Sequence, residues 1–488
     1  MAKIEEYKIE FSGITVPVVI ERTGLKPVYK IDIPQFEEGT LALMDRVRDK
    51  AVARMGLESD DAGSAKIRED FMREVGKIVD TEMGAIPQDE KNRIAARLCS
   101  DATGLGPVEW MLADPKLEEI VINGPRENLR VYHRKYGWLE SNVKIEVKDV
   151  IENYSKRIGR DVGREISILN PLLDAQLPSG DRANAILEPI SDKGVNITIR
   201  KFAAEPWVFT DFMKNGTANA DVLALVWLAI QYEMNVLISG GTASGKTSFL
   251  NVCMPFMPPN HRIVSIEDTR ELQLPSFLYW TPLSTRQPNP EGKGEVNMED
   301  LLVNALRMRP DRIVVGEVRR KRQAEVMFEA MHTGHSVYST LHADTCNQTF
   351  RRLINEPIAV PSAMINAVHL NVVMIRDRRR GFRRVYEVGE VVTHDVSEAG
   401  DFDVNIMYRW SPRTDEIVEN QESVRLFEEI SRHTAMTDAE IKKDLEEKKR
   451  ILDWAVEKNI DNLEKVGALM NRYYLDYDDL MKDVKKRG

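Results

Sequence analysis

The spacing of apolar residues changes several times along the chain and divides it into segments. Residues 1–35 alternate apolar and polar positions in short runs, which predicts β-strands. Residues 38–100 instead show helical spacing with many charges, and Gly104–Pro107 interrupts that pattern. From residue 106 to about 204, strand-like runs surround one helical segment, which is typical of a compact α+β domain.

The second half of the chain has the pattern of a parallel sheet covered by helices. Helix-like and strand-like segments alternate from residue 205 to about 400. Residues 401–488 are mostly helical in pattern, and Thr437 with Glu440 forms a capping box. The sequence therefore predicts an α/β fold in four parts, namely a β/helical region (1–105), an α+β domain (106–204), a parallel α/β domain (205–400) and a helical tail (401–488).

The clearest chemical signal is the string from Gly240 to Thr247, which reads G-x-x-x-x-G-K-T, the P-loop pattern. It follows the apolar run Met234–Ser239 and precedes a helix-like segment that ends before Pro255. This order turns backbone N–H groups and a helix N-terminus toward a polyphosphate. Lys246 is expected to reach the β- and γ-phosphates of ATP, and Thr247 to hold Mg²⁺. The predicted nucleotide-binding residues are Gly240, Gly241, Thr242, Ala243, Ser244, Gly245, Lys246, Thr247 and Ser248. The alternative is a glycine-rich turn that binds nothing.

Two glutamates follow strand-like segments beyond the P-loop. Glu267 ends the run that starts at Arg262, and Glu317 ends the run that starts at Arg312. In an open α/β sheet the chemistry lies beyond the carboxyl ends of the strands. Glu267 is therefore expected to activate the attacking water, and Glu317 to join the Mg²⁺ shell with Thr247. The two roles could be exchanged, and each glutamate could instead only cap the element that follows.

Three histidines, His332, His335 and His342, lie close together in sequence. His342 ends a strand-like run, so it could sense the γ-phosphate through a hydrogen bond. Satisfied structural histidines are the alternative, and for His332 that interpretation is favoured. No acid or cysteine stands nearby at ligand spacing, so no zinc site is expected.

Phosphoryl transfer commonly uses a guanidinium to neutralise charge on the transferring group. Upstream of the P-loop, Arg182 follows a turn and Arg200 ends an alternating strand. Both are candidates for that role, and surface salt bridges are the alternative for each. Arg270 and Arg319 also lie near the acids in sequence.

Composition narrows the function further. The net charge of -10 provides no general attraction for nucleic acid, so no nucleic-acid partner is expected. The N-terminus lacks a signal-peptide core, and the apolar run Val222–Ile230 is too short to span a bilayer. These features predict a cytoplasmic or membrane-peripheral protein. The basic run Arg376–Arg384 is either a solvated hairpin tip or a patch that docks acidic loops or anionic lipid.

The combination of these segments resembles the secretion-superfamily ATPases of type II secretion, type IV secretion, type IV and Tad-type pili, and the archaellum. The segments around Arg182 and Arg200 are similar to the arginine segments of that family's N-domain. The segments around Glu267, Glu317 and His342 are similar to its acidic box, Walker B segment and histidine box. The more basic run from Arg319 to Arg322 departs from the usual pattern.

The resemblance implies a homohexamer that binds ATP and Mg²⁺ between a mobile N-terminal domain and a RecA-like P-loop domain. It implies motion driven by hydrolysis, a polytopic membrane platform protein as partner, pilin-like or secreted cargo, and a place at the cytoplasmic face of the membrane. Residues 288–295 favour the Tad-type branch, whereas the helical tail favours archaeal pilus or archaellum motors. A nucleic-acid translocase, a P-loop phosphotransferase and a non-catalytic scaffold are the alternative functions.

Overall fold

The computed structural model of the chain describes residues 2–24, 26–55, 64–83, 86–202, 205–289, 291–393 and 402–485. Its contacts divide the chain into two units, residues 1–204 and residues 205–488, each with its own sheet and core. Within the described ranges, no helix is both long and apolar enough to cross a membrane.

The first unit is built on a nine-stranded sheet in the order β1-β2-β3-β6-β5-β4-β9-β8-β7. Neighbouring strands are antiparallel except β3 and β6, which are parallel. The strands are β1 (Ala2–Phe11), β2 (Ile14–Thr23), β3 (Lys26–Ile31), β4 (Leu117–Asn123), β5 (Asn128–His133), β6 (Gly137–Lys144), β7 (Leu172–Gln176), β8 (Arg182–Ile186) and β9 (Asn196–Arg200).

The helices of this unit form two groups, one around a small core of its own and one packed against the sheet. The helices are α1 (Glu38–Met55), α2 (Ser64–Glu82), α3 (Gln88–Thr103), α4 (Pro107–Leu112) and α5 (Lys148–Asp161). Residues of α1–α3, such as Val47, Val75 and Ile94, make a small helical core of their own. The sequence pattern predicts a boundary near residue 105, but β1–β3 extend the sheet of β4–β9 and share its core. Local periodicity does not reveal pairing between strands so far apart in sequence.

The second unit contains a nine-stranded sheet in the order β12-β11-β13-β14-β10-β15-β16-β17-β18. Its first six strands are parallel, and the last pairings, from β15 to β18, are antiparallel. The strands are β10 (Val236–Gly240), β11 (Arg262–Glu267), β12 (Tyr279–Ser284), β13 (Arg312–Glu317), β14 (Ser336–Leu341), β15 (Leu370–Asp377), β16 (Phe382–Thr393), β17 (Phe402–Ser411) and β18 (Glu416–Glu419). Every residue of β10 and β14 is buried, as expected for parallel strands covered on both faces. The predicted α/β class with a RecA-like P-loop domain is confirmed.

Helices cover both faces of this sheet. They are α6 (Phe209–Lys214), α7 (Ala220–Gln231), α8 (Lys246–Cys253), α9 (Met298–Leu306), α10 (Lys321–His332), α11 (Cys346–Ile354), α12 (Arg425–Thr434), α13 (Asp438–Glu457), α14 (Leu463–Leu475) and α15 (Tyr477–Lys485), with short 3₁₀ turns at Met254–Phe256 and Ser362–Ala367. The apolar run Val222–Ile230 lies in α7 and is buried throughout. It is therefore a core helix of the P-loop domain.

The C-terminal segment differs from the sequence expectation in two ways. Residues 402–419 form strands β17 and β18 instead of helix, because they continue the antiparallel edge begun by β16. The helices that follow pack on the P-loop domain: Tyr473 of α14 meets the Trp227 ring edge-to-face at 4.6 Å. Lys448 of α13 is fully buried against Asp444, and its ammonium lies 3.1 Å from the Tyr473 hydroxyl. The tail is thus part of the second unit's core.

Candidate functional site

The P-loop connects the buried strand β10 to helix α8. Gly240 has φ of 151°, and a Cβ atom there would lie 2.4 Å from the Met374 carbonyl oxygen of β15, so only glycine fits. Gly245 has φ of 96° and precedes the first residue of α8. The loop between them therefore directs its backbone toward the N-terminus of α8, which is the arrangement that binds phosphate.

Lys246 is the first residue of α8 and is only 7% exposed. Its ammonium donates to the Gly241 carbonyl at 3.1 Å and lies 3.4 Å from His342 Nδ1. Burial lowers its pKa, and the Glu317 carboxylate opposes that shift. Thr247 and Ser248 are half-buried, and the buried Ser244 hydroxyl has no hydrogen-bond partner among the described residues. The side chain of Lys246 is thus held inside the loop that is predicted to bind phosphate.

Parallel pairing brings the sequence-predicted acids and His342 to one edge of the sheet. The strands β11, β13, β14 and β10 are consecutive neighbours, and Glu267, Glu317 and His342 stand at or just past the ends of the first three. A Cβ atom on Gly316 would lie 3.5 Å from Glu267 Cγ, so the two acidic strand ends are adjacent. The P-loop ends the fourth of these strands.

Glu317 stands between a histidine and an arginine. Its Oε2 accepts a hydrogen bond from Arg319 Nη2 at 2.7 Å, and its Oε1 lies 3.0 Å from His342 Nε2. That second approach is not aligned as a hydrogen bond, so the buried Oε1 has no hydrogen-bond partner in the described part of the chain. Arg319 also lies 3.7 Å from Asp268. Burial lowers the pKa of His342, with the Lys246 charge adding to that effect, so the ring is neutral near pH 7.

Glu267 is 2% exposed and is oriented by the backbone of the following turn. Its Oε1 accepts hydrogen bonds from the N–H groups of Glu271 at 2.8 Å and Leu272 at 3.0 Å. The other oxygen, Oε2, is buried and lacks a hydrogen-bond partner among the residues described. Burial raises the pKa of Glu267 to about 7, against the lowering effect of the two backbone hydrogen bonds. A carboxylate with such a pKa and one unused oxygen can accept a proton at neutral pH.

The oxygen donors near the P-loop suit a hard divalent cation. Mg²⁺ binds proteins through one or two carboxylates or hydroxyls and takes its other ligands from phosphate and water. The unfilled acceptor at Glu317 Oε1 and the half-buried Thr247 hydroxyl match that need. No cluster of three or more His, Cys, Asp or Glu side chains that could hold a metal ion occurs among the described residues.

The two candidate arginines belong to the first unit and are direct neighbours. Arg182 on β8 pairs in register with Arg200 on β9, and Glu119 on β4 pairs with Arg200 from the other side. Arg182 forms a two-point ion pair with Asp174, with N–O distances of 2.9 and 2.6 Å. Like charges directly opposite each other destabilise a sheet. The structure therefore shows the surface ion pair considered as the alternative for Arg182, with Arg200 opposite it on the neighbouring strand.

The remaining sequence candidates have other surroundings. His335 Nδ1 lies 3.1 Å from the Thr333 hydroxyl at the end of α10, whereas His332 is exposed. Arg270 lies over the Trp280 ring, with its guanidinium carbon 4.9 Å from the ring centroid. Asp344 is not among the residues that the sequence pattern predicts for the site, although its carboxylate lies so close to the P-loop that a Cβ atom on Gly241 would be 3.1 Å away. Only the folded sheet places Asp344 there.

The chain matches a known protein family and resembles individual proteins of archaea and bacteria. Residues 101–441 match the family described as type II/IV secretion system protein. The uncharacterized protein MJ0900 of Methanocaldococcus jannaschii is 35% identical over 412 residues, which cover 83% of this chain and 74% of that protein. The type IV secretion system protein PtlH of Bordetella pertussis is 29% identical over 318 residues, covering 57% of this chain and 91% of PtlH.

Among solved structures, the pilus retraction motor PilT with bound ADP overlaps 77% of this chain and 95% of its own, with 15% identity and a TM-score of 0.42. The family match covers most of the chain and includes the P-loop, both glutamates, His342 and both arginines. The chain belongs to the family of type II/IV secretion system proteins, and it is an ATPase of that family.

Proposed function

We propose that this ATPase is a motor that couples hydrolysis of MgATP to the assembly of a type IV pilus-like filament or to type II/IV secretion. The filament would be an archaeal pilus, an archaellum or a Tad-type pilus. The motor would act as a homohexamer at the cytoplasmic face of the membrane, on a polytopic platform protein. The observation that carries the proposal is the contact of Lys246 and Glu317 with the same histidine, next to a buried glutamate.

In the proposed reaction, the P-loop holds the phosphates of ATP and Lys246 contacts the β- and γ-phosphates. Thr247 and Glu317 would hold Mg²⁺, and the bound ion would neutralise charge on the phosphate oxygens. Water attacks the γ-phosphorus, the bond to the β–γ bridging oxygen breaks, and Glu267 Oε2 accepts the proton of the water. The ring of His342 lies between Lys246 and Glu317, so it can report whether the γ-phosphate is present.

Arg182 and Arg200 are proposed to neutralise charge that develops on the transferring phosphoryl group. Their support is the register pairing of Arg182 with Arg200, because two cationic residues directly opposite each other in a sheet favour an anion beside them. Asp174 and Glu119 offset part of that repulsion without a nucleotide. A phosphate that approached this surface would meet two planar donors suited to it.

We expect Glu267→Gln to abolish turnover while nucleotide binding remains. The amide keeps the shape of the side chain but cannot accept a proton, and loss of a general base costs about 10²- to 10⁴-fold in rate. Steady-state hydrolysis and binding of a fluorescent ATP analogue measure the two effects. Glu271→Gln on the same turn is the matched control, and Lys246→Ala should lose turnover together with tight binding. Turnover near the wild-type rate in Glu267→Gln would refute the assignment.

The raised pKa of Glu267 also predicts a pH dependence. Burial raises that pKa to about 7, so the base is protonated below that pH and turnover should fall as the pH drops through 7. A profile of kcat/KM against pH measures this limb, because kcat/KM reports the pKa of the nucleotide-free enzyme, and the residual activity of Glu267→Gln should lack it. A kcat/KM that stays flat between about pH 6 and pH 8 would contradict a base with this pKa.

Substitution of either upstream arginine by alanine should reduce turnover more than binding. A guanidinium that stabilises the transferring phosphoryl group contributes about 10³-fold or more to the rate, so we expect a large loss of kcat in Arg182→Ala and Arg200→Ala. Nucleotide affinity should change by only about threefold, since the interaction forms in the transition state. The control is Arg130→Ala, on the exposed face of β5 in the same sheet. Unchanged rates would leave both arginines as surface ion-pair residues.

The motor role is tested in the native cell by replacing the chain with Glu267→Gln. Surface filaments should disappear from electron micrographs, or proteins should disappear from the culture medium, while the amount of the chain stays constant. Unchanged filaments and an unchanged set of secreted proteins would exclude the motor role. Strong stimulation of the purified protein's hydrolysis by DNA or RNA would instead favour a nucleic-acid translocase.

A further inference from the structure

Strands β15 and β16 form a hairpin that carries the basic run Arg376–Arg384. This hairpin extends past the carboxyl end of β10, the strand that leads into the P-loop. β15 runs parallel to β10 and pairs Met374 with Gly240. The strands of the hairpin then pair Arg376 with Arg383, and the turn at Arg378–Gly381 is closed by two N–H donors to Asp377 Oδ1. The hairpin therefore places Arg383 just beyond the end of the P-loop strand.

The side chain of Arg383 is in contact with the P-loop. Its Nε donates a hydrogen bond of 3.1 Å to the Ala243 carbonyl oxygen. A Cβ atom on Gly245 would lie only 3.2 Å from Arg383 Cδ, so the aliphatic part of the side chain packs against the second glycine of the P-loop pattern, which leaves room for it. Ala243 has φ of 59°, which is uncommon for a residue with a Cβ, and the bond from Arg383 supports that conformation.

Arg384 has a carboxylate partner for its guanidinium, whereas Arg383 has none among the described residues. Arg384 makes a two-point ion pair with Asp415, with N–O distances of 2.9 and 2.8 Å. For Arg383, no ion pair with a carboxylate is found in the ranges of the chain that the structure describes. A guanidinium has five N–H donors, and the bond to Ala243 uses one of them. The remaining N–H donors of Arg383 and its positive charge therefore lie beside the P-loop, whose N–H groups and φ angles suit an anion.

The position of Arg383 in the sheet determines which part of a nucleotide it can meet. Glu267, Glu317 and His342 lie on the β14 side of the P-loop strand, whereas Arg383 lies on the β15 side. The acids define the side of the γ-phosphate, because hydrolysis occurs there. Arg383 therefore faces the opposite side, toward the α-phosphate and the sugar.

We propose that Arg383 is a nucleotide-binding residue that holds the P-loop in its binding conformation and contacts the nucleoside-side phosphates of ATP and ADP. This proposal rests on the proposed nucleotide hydrolysis at the P-loop. Because the α- and β-phosphates are common to ATP and ADP, Arg383 binds both nucleotides alike. It stabilises the ground state and the transition state of hydrolysis equally and therefore contributes to binding and not to the chemical step.

The test compares Arg383→Gln with Arg379→Ala, a charge removed from the exposed turn of the same hairpin. Affinities for MgADP and for a non-hydrolysable ATP analogue are measured by calorimetry on the full-length chain, and kcat and KM by steady-state hydrolysis. A charge-assisted hydrogen bond lost at the phosphates predicts about tenfold weaker binding of both nucleotides and about tenfold higher KM, with kcat within about twofold. Arg379→Ala should bind both nucleotides as the wild type does.

Arg383→Lys provides a second variant that keeps the charge and loses the planar donor to Ala243. It should bind ADP with intermediate affinity, and it carries the same comparison if Arg383→Gln does not fold. Wild-type affinity for both nucleotides in Arg383→Gln, an equal loss in Arg379→Ala, or a fall in kcat at constant KM would each overturn the proposal. A wild-type chain that binds ADP but supports neither filaments nor secretion would contradict the motor role alone and leave the Arg383 comparison intact.

Discussion

The parallel pairing of β10 with β14 on one side and β15 on the other is the constraint on which the site depends. It brings the Met374 carbonyl so close to Gly240 that no side chain fits there, and the chain must turn away into the P-loop. It also brings the ends of β11, β13 and β14 to the same edge of the sheet as the loop. Strand pairing alone therefore brings His342 and Glu317 close to Lys246, and it places Glu267 at the strand end next to Glu317.

A second consequence is that most charged side chains at this edge of the sheet face groups of opposite charge. The Lys246 ammonium and the Arg319 guanidinium face Glu317, and Arg319 also faces Asp268. His342 is neutral near pH 7 because it is half-buried and close to Lys246. Burial of several charges is tolerated only when partners offset the loss of hydration. Glu267 lies outside this balance: burial raises its pKa to about 7, and the two backbone hydrogen bonds and the Arg270 charge oppose that effect only in part.

The sequence predicted the parts of the site that depend on local pattern. The P-loop string, the apolar strands before it and the positions of Glu267 and Glu317 at strand ends all follow from short-range spacing. What it could not provide was strand order. Local pattern predicts a helical tail that includes residues 402–419, and it does not reveal their pairing with β16 or the extension of the first sheet by β1–β3. Asp344 and Arg383 reach the P-loop only because β14 and β15 flank β10, a fact absent from any local window.

The same sheet order separates two kinds of positive charge around the P-loop. On the β14 side, Arg319 is held by the carboxylates of Glu317 and Asp268, so a cation that binds Glu317 must compete with it. On the β15 side, Arg383 is held by a carbonyl oxygen, which carries no full charge and leaves the guanidinium's charge available to an anion. One arginine thus neutralises the acidic side of the site, and the other adds positive potential to the phosphate loop. An exchange of the two environments would weaken both functions, since a carboxylate beside Arg383 would oppose phosphate binding and an unpaired Glu317 would be a buried charge without a partner.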